Sequence, residues 1–329
     1  MLLLVEFFDE LVFGAWTAAW PLIRSDLGLS YVEVGLLFAL PHVFASILEP
    51  PLGLLGDAWD RRALVRTGGL AFIGGLLLMA ASNGFAPLLF ALMLIFPASG
   101  AFVSLSQATL MDADPDPRRH ELNMAWWTLA GSVGVVAGPI VLAAVMAAGF
   151  GWRATFICIS AVGAVSLALA WRIPMQRPAA ADGSVVSALG EAGRAALRAL
   201  RGRDVLRWLT LLQFADLLLD VLLGFLALYF VDVMGATGAR AAFAIFVYTG
   251  IGLLGDALLI PLLGRMEGAR YLRASAYAML LAFPAFLLLR DSTMKLVLLA
   301  AVALLNSGWY SILKARLYSA MPDRTATVM

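Results

Sequence analysis

Apolar runs long enough to cross a lipid bilayer follow one another along almost the whole 329-residue chain. This one feature limits the folds open to it. Spanning the hydrocarbon core takes about 20 apolar residues at about 1.5 Å rise each. Ten segments meet that length: about 2–23, 32–56, 64–82, 87–111, 121–148, 152–171, 207–231, 240–263, 271–289 and 294–318. The runs are continuous rather than alternating, which selects helices over barrel strands. Turn-forming residues separate them, among them Asp60-Arg61-Arg62, Ser82-Asn83-Gly84 and Asp114-Pro115-Asp116-Pro117. Hydrophobic residues make up 62% and charged residues 14%, against roughly 45–50% and about 25% in soluble domains. A soluble fold needs a polar coat that this chain lacks. The expectation is an all-α, polytopic membrane helix bundle whose solvent is the lipid bilayer.

The 23 basic and 22 acidic residues leave a net charge of +1, which removes the basic footprint of a nucleic-acid binder. One cysteine, Cys158, excludes an internal disulfide. With only two histidines, His42 and His120, no metal site and no cofactor are expected. Phosphate-loop, HExxH and nucleophile-elbow motifs are missing, so the chain does not read as an enzyme. The first span has no basic n-region and is interrupted by Glu6, Asp9 and Glu10, so it is expected to stay in the mature protein. With the amino terminus in the cytoplasm, only Arg24, Arg153, Arg240, Arg290 and Lys295 of the basic residues fall outside. The positive-inside rule therefore orients the chain amino terminus in.

The two halves repeat. Glu6-x-x-x-Glu10-x-x-x-Gly14 in span one matches Asp216-x-x-x-Asp220-x-x-x-Gly224 in span seven, an offset of 210. Pro50-x-x-Gly53 matches Pro261-x-x-Gly264 at 211, and Ser99-Gly100 matches Ser307-Gly308 at 208. Nearly equal offsets in chain order predict two repeats of the same orientation. The expected division is a six-helix repeat over 1–172, a cytoplasmic linker over 173–206 and a four-helix repeat over 207–329. A full second repeat would place counterparts of spans five and six beyond residue 329, so the chain reads as six plus four. The linker carries Arg194, Arg198, Arg201 and Arg203. Its 187–203 part is either a solvated connector that fixes topology or a basic helix on the inner leaflet.

These features resemble the major facilitator superfamily along essentially the whole chain. The loop Gly53-Leu-Leu-Gly-Asp57-Ala58-Trp-Asp60-Arg61-Arg62 is similar to the family signature G-x-x-x-D-R-x-G-R-R. It departs at Ala58, where a basic residue is usual, and at Asp60, where glycine is usual. Gly131-x-x-Gly134-x-x-x-Gly138-Pro139 resembles the span-five motif of the family's antiporters, without the paired glycines after the proline. Gly151-Trp-Arg-Ala-Thr-Phe156 resembles the usual start of span six. The stretch from Trp20-Pro21-Leu22 to Pro50, Gly53 and Asp57 is similar to fosmidomycin-resistance-type efflux members. The resemblance implies a secondary transporter of a small-molecule substrate in the inner or plasma membrane. It further implies exchange against protons, with a monomer as the working unit. The alternative is a non-transporting sensor, partner subunit or inactive truncation. By resemblance, Gly53, Asp57, Arg61 and Arg62 form a gating motif; the alternative for the arginines is topology fixing alone. Gly134, Gly138 and Pro139 are a candidate hinge, or a close-packing surface.

Seven carboxylates fall within expected spans: Glu6, Asp9, Glu10, Glu49, Asp216, Asp220 and Asp256. An ionised carboxylate at a span centre costs about 2.5–3.5 kcal/mol on insertion scales. The four-residue spacings put Glu6 with Glu10, and Asp216 with Asp220, on one helical face. Acids in that setting suit reversible protonation, which makes Glu10, Asp220, Asp216 and Glu6 the proton-coupling candidates. Asp256 is expected to pair with Lys314 or with the surroundings of Asp216. Lys314 and Arg316 are expected to snorkel at the inner end of span ten.

Overall fold

The structure, a computed structural model, describes residues 1–113, 116–172, 193–194, 198, 201–236, 238–289 and 291–321. Among them the chain forms ten helical rods and no strand. In chain order these are α1 (Leu3–Leu27), α2 (Tyr31–Ala58), α3 (Arg61–Ala81), α4 (Phe85–Asp112), α5 (Pro117–Ala147) and α6 (Trp152–Ala170). Then come α7 (Arg203–Leu228, prolonged by a π turn Tyr229–Val233), α8 (Gly238–Leu263), α9 (Gly268–Leu288) and α10 (Ser292–Ala320). They follow the ten expected spans, mostly extending them by about a turn. Eight are long and apolar enough to cross a membrane; the other two, α1 and α7, are the ones that carry the paired acids. The chain is an all-helical, multi-pass membrane protein.

Local chemistry sets the rod ends. Ser30 and Glu33 form a reciprocal capping box that starts α2: Ser30 Oγ accepts from Glu33 N–H at 3.2 Å, and Glu33 Oε2 accepts from Ser30 N–H at 2.8 Å. Asp291 caps α10 by accepting from Met294 N–H at 2.7 Å. Lys295, 1% exposed, donates to the Phe286 and Leu287 carbonyls and so closes the C-terminus of α9. Two rods are interrupted. Residues Gly100–Ser104 form a π turn inside α4, and α10 turns at Ser307–Gly308, where Gly308 takes φ +80°. Both interruptions sit at the repeated Ser-Gly pair.

By contacts the described chain divides into two units. Unit 1 takes the described residues within 1–113, 133–201 and Met321; unit 2 takes those within 116–132 and 202–320. The division cuts α5 between Ser132 and Val133, two residues before Gly134. In unit 1, α3 packs on α4 and α6, α2 on α4, and α1 on α6. Its core includes Phe8 with Phe72 and Phe102, ring centroids 5.1 and 6.4 Å apart. In unit 2, α10 packs on α7, α8 and α9 around Phe230, Tyr248, Phe286 and Val302. The pairs α2–α4 and α3–α4 of unit 1 have counterparts in α8–α10 and α9–α10 of unit 2. Side chains such as Leu280, Leu281 and Leu288 stay exposed on the outer faces, which suits a protein whose surroundings are hydrocarbon.

Candidate functional site

The Asp57–Arg61 segment folds into an ion-pair clamp. Asp60, the residue that replaces the family's glycine, accepts from Ala63 N–H at 3.2 Å and caps α3. That cap starts α3 at Arg61, one turn from Asp57 at the end of α2. Arg61 is buried; it donates to Asp57 Oδ1 at 3.1 Å, to Asp112 Oδ2 at 2.6 Å and to the Gly56 carbonyl at 3.2 Å. One guanidinium therefore ties the ends of α2, α3 and α4 together through charge-assisted bonds. Gly53 is buried a turn earlier in α2. Arg62 takes a separate path: it donates at 3.5 Å to the Trp171 carbonyl, which Arg66 also reaches at 3.1 Å while stacking 4.2 Å from the Trp171 ring. The sequence reading missed Asp112. Its only signal was a carboxylate closing span four, 51 residues from its partner.

The span-five motif packs directly on α1. A Cβ built at Gly134 would lie 2.5 Å from Phe7 O and 2.9 Å from Leu11 N; one at Gly138 would lie 2.6 Å from Gly14 C and 2.7 Å from Leu11 O. These are backbone atoms, so only glycine lets the two rods approach this closely. Pro139 follows in the next position of α5. Glu10 stands at this crossing, its Cβ 3.0 Å from the position a Cβ at Gly134 would take. Glu6 and Glu10 are half-buried in unit 1. Asp9 accepts from Ser99 Oγ at 2.9 Å, at the edge of the α4 interruption, with Glu49 in electrostatic reach. Asp216 is half-buried in unit 2, and the Asp220 side chain lies outside the described residues.

Unit 2 contains a polar network that the sequence only hinted at. The Asp256 carboxylate accepts from Ser132 Oγ at 2.6 Å and from the Gly308 N–H, in place of the Lys314 or Asp216 surroundings expected for it. Thr128 and Ser311 share a 2.6 Å hydrogen bond. Arg316, expected to snorkel, instead places Nε 2.7 Å from Glu121 Oε1 and NH2 3.4 Å from Glu267 Oε1. Glu121 also accepts from the Gly268 N–H at 3.2 Å, at the start of α9. Residues 121, 128 and 132 recur at near-helical spacing, so one face of α5 presents them all. Among the described residues no cluster of three or more His, Cys, Asp or Glu side chains is placed to hold a metal ion.

A multi-pass helical bundle with broken helices and acids within its helices is a build that membrane transporters use. The Major Facilitator Superfamily profile matches residues 2–329, and the chain belongs to that family. The fosmidomycin resistance protein of Escherichia coli (strain K12) is 25% identical over 161 residues, 49% of this chain and 39% of that protein. The chain thus spans about two fifths of that relative's length. Among solved structures, the transporter FucP in its outward conformation gives a TM-score of 0.80 at 17% identity, covering 99% of this chain and 87% of that one. The proton:xylose symporter XylE gives 0.66 at 15%, covering 99% and 82%. At these identities the two structures speak for the fold. Members of this family are transporters rather than enzymes.

Proposed function

We propose that the chain is a secondary active transporter that carries a small solute outward across the cytoplasmic membrane in exchange for protons, by alternating access. Its amino terminus lies in the cytoplasm, and the working unit is a monomer. The transport units are the six-helix repeat 1–172 and the four-helix repeat 207–329, joined by the 173–206 linker. Glu10 and Asp220 carry protons, with Glu6 and Asp216 one turn away as their partners. The Asp57–Arg61 clamp, with Gly53 and Arg62, belongs to the inner gate, and the Gly134, Gly138 and Pro139 surface is the crossing about which α5 works. The observation that carries this reading is a pair of half-buried carboxylates, Glu6 and Glu10, on a glycine-lined helix crossing in a family of transporters. The likeness to the fosmidomycin resistance protein supports an efflux direction.

The test is reconstitution into liposomes holding a pH-sensitive dye, with fosmidomycin as the first solute offered. Solute addition is expected to drive proton movement in the opposite sense, and an imposed pH gradient to drive solute. Asp220→Asn and Glu10→Gln should abolish coupled proton movement. Solute flux that ignores the pH gradient would refute the coupling. The absence of flux for every solute tried, with the folded protein verified, would refute transport and leave the non-transporting reading.

A further inference from the structure

A groove of about 530 Å³ lies among α7, α9 and α10 in unit 2. Leu218, Ala276, Leu280, Phe283 and Trp309 line it, and among the described lining residues Arg273 alone is charged. Leu280 is 69% exposed, so the groove opens along the face of α9. Trp309 is fixed at its wall by donating from Nε1 to Ser275 Oγ at 2.9 Å. Arg273 is exposed, and its Nε donates at 3.2 Å to the Ala269 carbonyl one turn earlier in α9. Among the described residues no carboxylate pairs with Arg273, whereas Arg270 stands 3.9 Å from Glu267 and Arg316 is held by Glu121 and Glu267.

Unit 1 shows what such a face accommodates. There α6 lies against α1 and α3. A Cβ at Gly163 of α6 would fall 2.5 Å from the Phe8 ring and 3.1 Å from Ile73, and one at Gly69 of α3 would fall 2.6 Å from Leu167. At the end of α6, Arg66 donates to the Trp171 carbonyl at 3.1 Å. Both α3 and α9 have 21 residues, and counting from their first residues sets Arg66, Gly69 and Ile73 against Arg273, Ala276 and Leu280. The offset of 210 between spans one and seven sets Phe8 against Leu218. All four counterparts line the groove. The groove therefore suits a long apolar body that ends in oxygen acceptors beside the arginine.

A phospholipid has that form. Apolar contact between its tail and the groove is worth little, because lipid tails are as apolar as leucine; close packing and the head group decide which lipid stays. The guanidinium is always charged, and its planar fork matches phosphate oxygens in pairs. At the edge of the hydrocarbon that charge needs an anion or water at its tip, and an anionic head group supplies the anion. Phosphatidylcholine carries the same phosphate but offsets it with its own cation. A helix like α6, about 10 Å across, would overlie the groove, whereas an acyl chain one methylene wide enters it.

We propose that the groove among α7, α9 and α10 binds an anionic phospholipid, one acyl chain lying along Leu218, Leu280 and Trp309 and the head-group phosphate at Arg273. The test uses the delipidated full chain in a non-ionic detergent. It is titrated with phosphatidylglycerol or phosphatidylcholine whose acyl chains carry bromine, a quencher of tryptophan fluorescence. Phosphatidylglycerol is expected to quench saturably, with half-saturation about 5- to 10-fold below that of phosphatidylcholine. Trp309→Phe should remove the saturable component. Arg273→Gln should raise the phosphatidylglycerol half-saturation to the phosphatidylcholine value, and Arg270→Gln should preserve the preference. Ala276→Leu, which narrows the groove and keeps the arginine, should weaken quenching by both lipids and so tests the site without a change of charge. Equal half-saturation for the two lipids in the parent, or a preference that survives Arg273→Gln, overturns the proposal. So does saturable quenching that persists in Trp309→Phe. If neither lipid quenches saturably and a synthetic peptide of residues 150–172 shifts the Trp309 emission instead, the groove is a helix seat and the proposal fails. No readout involves solute flux, so failure here is distinct from failure of the transport reading.

Discussion

Replacing Gly138 by alanine is expected to destabilise the protein, although alanine is the stronger helix former. A Cβ at this position would fall 2.6 Å from Gly14 C and 2.7 Å from Leu11 O, and both are α1 backbone atoms that cannot rotate away. Forcing a methyl group into a full contact costs about 1–3 kcal/mol. Removing a glycine from a helix interior returns about 0.5–1 kcal/mol. The net loss is up to about 2.5 kcal/mol, which at about 2.1 cal/mol/K per residue lowers the thermal midpoint of a 329-residue chain by up to about 4 °C. The control is Gly74→Ala in α3, where no atom lies within 4 Å of the new Cβ. That variant keeps the helix-propensity gain without the clash and should match or exceed the parent. Thermal unfolding in detergent, followed by tryptophan fluorescence, compares the two directly. If Gly138→Ala proves as stable as Gly74→Ala, the close approach of α5 to α1 is wrong.

Three further outcomes follow from the ion pairs. Arg61→Met removes the shared partner of Asp57 and Asp112 and should cost about 3–5 kcal/mol, with Asp112→Asn costing less; equal effects in thermal unfolding would argue against a shared clamp. Glu121→Gln and Arg316→Gln, made singly and together, should show a coupling energy of about 0.5–3 kcal/mol, and additive losses would refute the pair. Asp26 lies past the C-terminal end of span one, where hydrogen bonds from Arg153 and then Trp152 hold its carboxyl below the usual range. A depressed folded-state value means the pair stabilises above the unfolded value of about 3.9 and loses that contribution as pH falls through the folded value. The stability gap between the parent and Asp26→Asn should therefore close on acidification. A gap independent of pH would refute the pairing.

The rods were legible because a bilayer leaves a helix little freedom: length and apolarity alone locate it. Both Ser-Gly pairs that the sequence offsets align lie at helix interruptions. Partners across the fold were harder to read. Asp57 and Arg61 are one turn apart and visible as a pair, but Asp112 joins them only once α3 packs on α4. Asp256 and Ser132 are 124 residues apart, and no periodicity links α8 to the middle of α5. Arg316 looked like a snorkelling cation because its partner, Glu121, stands 195 residues earlier in the chain, with α6 to α9 between them. Asp60 departs from the family signature, but its capping bond gives it a local role that a glycine side chain cannot fill. The inner-leaflet helix considered for 187–203 falls mostly outside the described residues.

The π turn in α4 makes the clamp depend on residue counting. Each residue advances an α-helix by about 100°, and a π turn holds one residue more than the regular ladder needs. The segment after Gly100–Ser104 is therefore phased differently from the segment before it, and Asp112 lies in that second segment. Deleting one residue from the turn would restore an unbroken ladder and leave the Asp112 carboxylate close to its present bearing, because the surplus residue is what the wide turn absorbs. Straightening the turn with every residue kept is the change that would swing Asp112 about a quarter of a revolution away from Arg61.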